Sequence, residues 1–181
     1  MHLRSGETFQ MANYVCHRTD WLTEGGGTAI LVWWGTDHYA VPIQGARHLV
    51  ATAIQVILAS KPVKILRAVY LSSCQPFINL DLSACLGGSF PILMARDLND
   101  KHVHWNSRLI TPRGRGFCDC AIEYSCLIFK PDTLTTMPCN FFPIPDALDI
   151  IIAEDRVTPV YLTTCSGLGV DQLPVLINTR C

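Results

Sequence analysis

The sequence predicts a single α/β domain in which β-sheets pack at the centre and helices are few. Short runs of β-branched and apolar residues recur along the whole chain, and several are continuously apolar, which is typical of strands covered on both faces. Helical periodicity is sparse and the polar connections are long. At 181 residues the chain is long enough for one domain with a proper core and too short for two.

Seven runs predict the strands of this domain, and glycine or proline clusters separate several of them. The predicted strands cover residues 27–34, 51–58, 63–71, 90–95, 147–153, 159–164 and 174–179. Because so many strands accompany so few helices, we expect sheets that pack face to face as an α/β sandwich.

Two segments predict helices. Residues 116–129 carry apolar side chains at helical spacing, so we expect an amphipathic helix that runs into a strand. Residues 80–86 predict a short helix before the strand at 90–95. Residues 51–58 would also suit a helix by propensity, but their β-branched content and the following Lys61-Pro62 favour a strand.

The charge balance excludes a general electrostatic attraction to nucleic acid. Fourteen basic and 15 acidic residues give a net charge of −1, so nucleic acid would have to bind through a local cluster. Only 16% of the residues are charged, which predicts poor solubility if part of the core is left uncovered.

Nine cysteines raise the question of disulfides or metal. The first residues lack the apolar segment of a secretory signal, and no apolar run approaches the ~18–20 residues of a membrane span. We therefore expect an intracellular protein, nuclear or cytoplasmic, with reduced thiols. Zinc is the alternative for Cys118, Cys120, His102 and His104, but no C-x-x-C pair of the kind that structural zinc sites favour is present.

The densest polar stretch, ARDLNDKHVHWNSR (95–108), follows an apolar run and contains a D-x-N element. Strand ends project side chains into crevices, where an ionised Asp97 could accept a proton from water or orient it. Asn99 could donate to an oxygen on which charge develops. The element taken alone fits an Asx turn that closes a strand equally well.

Several separated motifs stand in an order that resembles the endonuclease/exonuclease/phosphatase superfamily. VYLSS (69–73) sets Tyr70 at a strand end, ALDIII starts a strand with Asp149, and GVDQLPVLI (169–177) sets Asp171 and Gln172 before a strand. The chain is most similar to the endonuclease domain of Jockey-type non-LTR retrotransposons of arthropods. The most specific parts of this likeness, which spans essentially the whole chain, are DLNDKHVHWNSR, TPRGRG, LDIIIAEDRVTPVYLTTCS and DQLPVLI.

The resemblance implies a four-layered α/β sandwich over residues 1–181, a single domain that lacks the first strands and helix of the family. It also implies a hydrolase that nicks DNA phosphodiester bonds with Mg²⁺. In the element, which also encodes an RNA-directed DNA polymerase, the freed 3′ end primes reverse transcription at the target site. DNA is then the expected partner, with no membrane and no small-molecule cofactor.

The resemblance also assigns roles to single residues. Tyr70 would hydrogen-bond near the scissile phosphate, Asp97 would position the attacking water, and Asn99 would support the transition state. Asp149 would orient the catalytic histidine, and Asp171 would bind the metal or its waters.

Arg113, Gly114 and Arg115 stand where the family has a basic, glycine-containing loop, which indicates a phosphate or nucleic-acid contact. From the residues alone, Tyr70 fits an aromatic at the core edge and Asp149 a turn cap, while the arginines fit ordinary surface charges. His102 and His104 are interpreted as loop support.

The chain departs from the family pattern at the catalytic histidine and at the metal-binding glutamate. Gln172 stands where the family has the histidine, and glutamine can neither become a cation nor transfer a proton. The family's glutamate falls before Met1, and Glu7 is too far downstream to replace it. Missing first strands would expose sheet edges, so self-association is expected. Smaller departures are Arg96 and Asp100, where the family has small residues.

These departures predict an endonuclease domain that is weakly active or inactive. The alternative is a non-catalytic nucleic-acid- or protein-binding remnant. Two other possibilities are an enzyme that works with residues from a partner chain or with a relaxed site, and a translated remnant with no role.

Overall fold

The computed structural model describes the greater part of the chain. The described residues are 9–20, 27–57, 64–71, 76, 79–87, 91–97, 100–136, 145–154, 160–164 and 175–179.

The described elements are ten strands, two α-helices and one 3₁₀ turn. In chain order they are β1 (Tyr14–Asp20), β2 (Gly27–Trp33), β3 (His38–Ala40), β4 (Val50–Val56), β5 (Lys64–Tyr70), α1 (Asn79–Leu86), β6 (Ile92–Asp97), the 3₁₀ turn (Val103–Trp105), α2 (Pro112–Glu123), β7 (Cys126–Phe129), β8 (Asp149–Glu154), β9 (Val160–Thr164) and β10 (Val175–Thr179).

Six strands form a mixed central sheet in the order β3-β4-β5-β6-β8-β7. Its neighbouring strands are antiparallel except for β5 and β6, which are parallel. A parallel pair needs a crossover connection, and α1 lies in the segment that joins these two strands. The carboxyl ends of β5 and β6 therefore lie side by side at one end of the sheet.

Both helices and the 3₁₀ turn cover one face of this sheet, and the main core lies between these elements and the sheet. Trp105 and Phe117 are fully buried and pack edge to face, with ring centres 5.9 Å apart. The same core includes Leu82 and Cys85 from α1, and Met94 and Ile152 from the sheet.

Two separate hairpins lie on the opposite face. The β1–β2 hairpin packs on β4, where the Thr52 hydroxyl hydrogen-bonds to the hydroxyls of Thr28 (2.8 Å) and Thr19 (3.0 Å). Leu162 of the β9–β10 hairpin packs on a second cluster that includes Leu93 and Ile151. Neither hairpin shares a strand pairing with the central sheet in the described part of the chain.

The structure confirms the predicted strands and helices. Each of the seven predicted strands occurs with both ends within two residues of the prediction, and the helix at 80–86 corresponds to α1. The helix that runs into a strand is α2 followed by β7, but α2 begins at Pro112. The prediction missed β1 and β3. No helix among the described residues is long and apolar enough to cross a membrane.

Candidate active site

Three of the residues singled out in the sequence stand next to one another in the central sheet. Tyr70, the last residue of β5, is in register with Asp97, the last residue of β6. Asp97 is in register with Asp149, the first residue of antiparallel β8. Tyr70, Asp97 and Asp149, which we call the polar row, thus cross three adjacent strands at one end of the sheet.

Of the other predicted site residues, the structure describes only some. Asn99, Asp171 and Gln172 lie outside the described residues, so their roles stay predictions. Arg113 and Arg115 belong to the first turn of α2, which corrects the expectation that they stand in a loop.

The backbone of Asp149 is held by a threonine that the sequence did not point to. The hydroxyl of Thr135, fully buried, accepts hydrogen bonds from the amides of Leu148 (2.9 Å) and Asp149 (3.2 Å). The amides of Thr135 and Thr136 both donate to the Asp146 carbonyl, at 3.0 and 2.9 Å. The start of β8 is therefore fixed by the segment around Thr135 and not by the sheet alone.

An ion pair joins the segment after β6 to the segment before β8. Lys101 Nζ lies 2.8 Å from Asp146 Oδ2, and the aspartate is 2% exposed. Burial alone would raise the pKa of Asp146, but the hydrogen bond and charge of Lys101, the Ser107 side chain and the amide of Ala147 together outweigh it and lower the pKa. This pair fixes the two chain segments that carry Asp97 and Asp149 relative to each other.

The polar stretch after β6 is ordered by contacts with itself. The Trp105 indole donates to the carbonyl of Asp100 (3.3 Å), and the Thr111 amide donates to the carbonyl of Lys101 (2.9 Å). His102 Nδ1 accepts from the His104 amide at 3.1 Å, and the His102 ring centre lies 5.1 Å from that of Trp105. His102 therefore supports this turn, in agreement with its interpretation as loop support.

Gly114 meets a steric requirement of the same segment. A Cβ at this position would lie 2.2 Å from the Lys101 carbonyl oxygen, and the Gly114 amide donates to the Thr111 hydroxyl at 3.0 Å. Because the N-terminus of α2 approaches the Lys101 backbone this closely, packing explains the glycine without any phosphate contact.

The two smaller departures from the family pattern lie close enough to interact. Arg113 Nε is 3.2 Å from Asp100 Oδ1, and the Arg96 guanidinium stacks on Phe117 with its Cζ 3.9 Å from the ring centre. Burial raises the pKa of Asp100, while the charges of Arg113 and Arg96 act in the opposite direction. Asp100 is therefore a buried carboxylate held among arginines beneath the polar segment.

Five cysteines in the described part of the chain are free thiols: Cys16, Cys85, Cys118, Cys120 and Cys126. Burial raises the pKa of Cys85 and of Cys126 to about 11, so neither is a thiolate at neutral pH. No group of three or more His, Cys, Asp or Glu residues that could hold a metal ion occurs within the described ranges.

The mixed central sheet with few helices is the α/β fold of solved structures that include an endonuclease/exonuclease/phosphatase family protein. The chain is similar to the endonuclease domain of TRAS1, a telomere-specific non-LTR retrotransposon, with a TM-score of 0.77 and 14% identity over 94% of this chain and 82% of that one. It is also similar to an endonuclease/exonuclease/phosphatase family protein from Leptotrichia buccalis, with a TM-score of 0.62 and 10% identity over 94% of this chain and 74% of that one.

No protein-family model matches the sequence, and no curated protein matches it. The structural similarities confirm the predicted fold.

Proposed function

We propose that this chain is a retrotransposon-type endonuclease domain that hydrolyses DNA phosphodiester bonds slowly. The observation that carries the proposal is the polar row: Tyr70, Asp97 and Asp149, each assigned a role from sequence resemblance, are neighbours in register on three adjacent strands. Nothing in the sequence pattern requires residues so far apart in the chain to meet at one end of a sheet.

In the proposed reaction the row binds and orients a water molecule and the scissile phosphate. Asp97 holds the attacking water and draws its proton, and Tyr70 donates a hydrogen bond to a phosphate oxygen. The P–O bond to the 3′ oxygen breaks as the water adds, and that oxygen takes its proton from solvent. Asp149 orients the side chain that faces the phosphate. That side chain would be Gln172, which can donate a hydrogen bond but cannot carry the positive charge of a histidine.

Mg²⁺ is the metal proposed for this site, and it would neutralise charge on the phosphate. The carboxylates of the row are oxygen donors, the kind of ligand that Mg²⁺ takes. Asp171 is the residue proposed to hold the ion or its waters.

Arg113 and Arg115, the two arginines predicted to contact nucleic acid, are not equally available for this role. The Arg113 side chain, 21% exposed, is engaged by Asp100, whereas Arg115 is exposed on the first turn of α2. Arg115 is therefore the better candidate for a phosphate contact.

A plasmid-nicking assay with Mg²⁺ tests the proposal. We expect slow conversion of supercoiled to open circular DNA by the wild-type chain, and at least a tenfold loss in Asp97→Asn, which keeps the shape of the side chain but not its basicity. Gln172→His should raise the rate, by up to ~10²-fold if a charged donor is restored.

The matched control is Asp119→Asn, which removes a carboxylate exposed on α2 and should nick at the wild-type rate. Equal rates for wild type and Asp97→Asn would contradict the proposal, because any nicking would then come from elsewhere than the row.

A further inference from the structure

Two histidines outside the polar row lie close together where the β1–β2 hairpin meets the edge of the central sheet. His17 belongs to β1 and His38 begins the edge strand β3. Their ring centres are 4.9 Å apart and the ring planes are nearly perpendicular, at 87°. The proposed endonuclease chemistry uses neither residue.

The hydrogen bonding of His38 defines which of its nitrogens is available. Nδ1 lies 2.6 Å from the carbonyl oxygen of Thr36, and a carbonyl can only accept, so Nδ1 carries the proton. The lone pair of the neutral ring is then on Nε2. Histidine ligands of metals are commonly oriented in this way, by a hydrogen bond from the other ring nitrogen to a backbone carbonyl.

His17 supplies a second nitrogen. Its Nε2 is buried and has no hydrogen-bond partner within the described part of the chain. A buried polar atom without a partner costs free energy, and a ligand that bonds to it would recover that cost.

The separation of the rings fits one shared metal ion. With metal–nitrogen bonds of about 2.1 Å and ring centres roughly 1.2 Å behind the nitrogens, N–metal–N angles of about 95–110° put the ring centres about 4.9–5.4 Å apart. The observed 4.9 Å lies in this range. In contrast, the ring centres of His102 and His104 are 6.4 Å apart, and His102 Nδ1 already accepts a hydrogen bond.

An ion can approach the pair from the side of His17. An open groove of about 330 Å³ is lined by His17, together with Arg18, Thr19 and Ala40 to Ile43. Arg18 would repel a cation, but its guanidinium donates through Nε and Nη2 to the two carboxylate oxygens of Asp20, each at 2.7 Å.

We propose that Nε2 of His17 and Nε2 of His38 bind one first-row transition-metal ion of the Zn²⁺ class, which links the β1–β2 hairpin to the edge of the central sheet. Two imidazoles suit Zn²⁺, Ni²⁺ or Cu²⁺ and not Mg²⁺, which takes oxygen ligands. With two protein ligands, water completes the coordination, and the site is weaker than a closed four-ligand zinc site.

Calorimetric titration with Zn²⁺ at pH 7.5 tests the proposal without DNA or nicking, so its outcome is independent of the endonuclease activity. We expect His17→Asn and His38→Asn each to weaken binding at this site tenfold or more, and the double variant to be no weaker than either single variant. His104→Asn is the matched control and should bind as the wild type does. Thiols contribute equally to all five proteins, so the differences report the histidine pair.

Zn²⁺ should also raise the melting temperature of the wild type more than that of either histidine variant, because the ion links two parts of the fold. If an asparagine variant melts early without zinc, His17→Gln, closer in length to histidine, is used in its place. Undiminished binding by both His17 and His38 variants, or an equal loss in His104→Asn, would overturn the proposal.

Discussion

The two layers that pack on the faces of the central sheet differ in how deeply their own side chains are buried. On the face beneath α1 and α2, Trp105 and Phe117 are 0% exposed and even the charged Arg96 is stacked and buried. In the layer formed by the two hairpins, Val32 is the one buried side chain among the described residues, and Trp34, next to β2, is 69% exposed. The helical layer therefore contributes more to the stability of the fold than the hairpin layer.

The largest expected effect is on the helix-covered face. Phe117→Ala removes a fully buried ring and the partner of Arg96, and should lower the free energy of unfolding by about 3–5 kcal/mol. Urea unfolding followed by circular dichroism measures this. Trp34→Ala, an equally drastic truncation at an exposed position, should change stability by less than about 0.5 kcal/mol. A similar loss in both variants would show that the two regions do not differ as described.

Much of this contrast follows from the sequence. The continuously apolar runs predict β4 and β8 as strands covered on both faces, and both are buried along their length. The strands β1, which is YVCHRTD, and β3, which has three residues, lack that signal, since one is half polar and the other too short for a pattern to show.

The site could be predicted only in part. Motif resemblance identified Tyr70, Asp97 and Asp149, and strand register brings them together. The Lys101–Asp146 pair and the Thr135 hydroxyl could not be found in this way, because each joins segments that are distant in sequence and carries no local pattern. The surroundings of Asp100 could not be predicted either, because Arg113 and Arg96 come close to its carboxylate only in the folded chain.

An intermediate loss of stability is expected when the Thr135 hydroxyl, which holds the start of β8 next to the polar row, is removed. Thr135→Val keeps the side-chain shape but leaves the partly buried amides of Leu148 and Asp149 without their acceptor, which should cost about 1–3 kcal/mol. Thermal melts of the purified variants measure the loss. Thr136→Val is the matched control: the Thr136 hydroxyl is buried with no hydrogen-bond partner among the described residues, so its removal should be neutral or slightly stabilising. The opposite ranking would contradict the role given to Thr135.

The smallest expected effect is a change with pH in the free energy of unfolding, caused by His17 of the β1–β2 hairpin. Burial, followed by the nearby His38, lowers the pKa of His17 from 6.5, so the folded chain favours the neutral ring and the unfolded chain binds the proton more readily. The stabilising contribution of His17 is therefore complete above about pH 6.5 and is lost as the pH falls below 6.5 through the folded-state pKa.

Urea unfolding at pH 7.5 and pH 5.5, in metal-free buffer, measures this contribution as a difference between proteins. The wild type should lose more stability between the two pH values than His17→Asn, which keeps all other titrating groups. Identical losses would show that His17 does not titrate differently in the folded chain.

The attachment of the β1–β2 hairpin has a consequence for local unfolding. The hairpin is held to the sheet by side-chain contacts around Thr52 and by apolar packing, and its strands pair only with each other in the described structure. It can therefore leave the sheet without breaking any backbone hydrogen-bond ladder of the sheet. We expect it to behave as a separate cooperative unit, whose opening needs less free energy than the opening of the sheet beneath it.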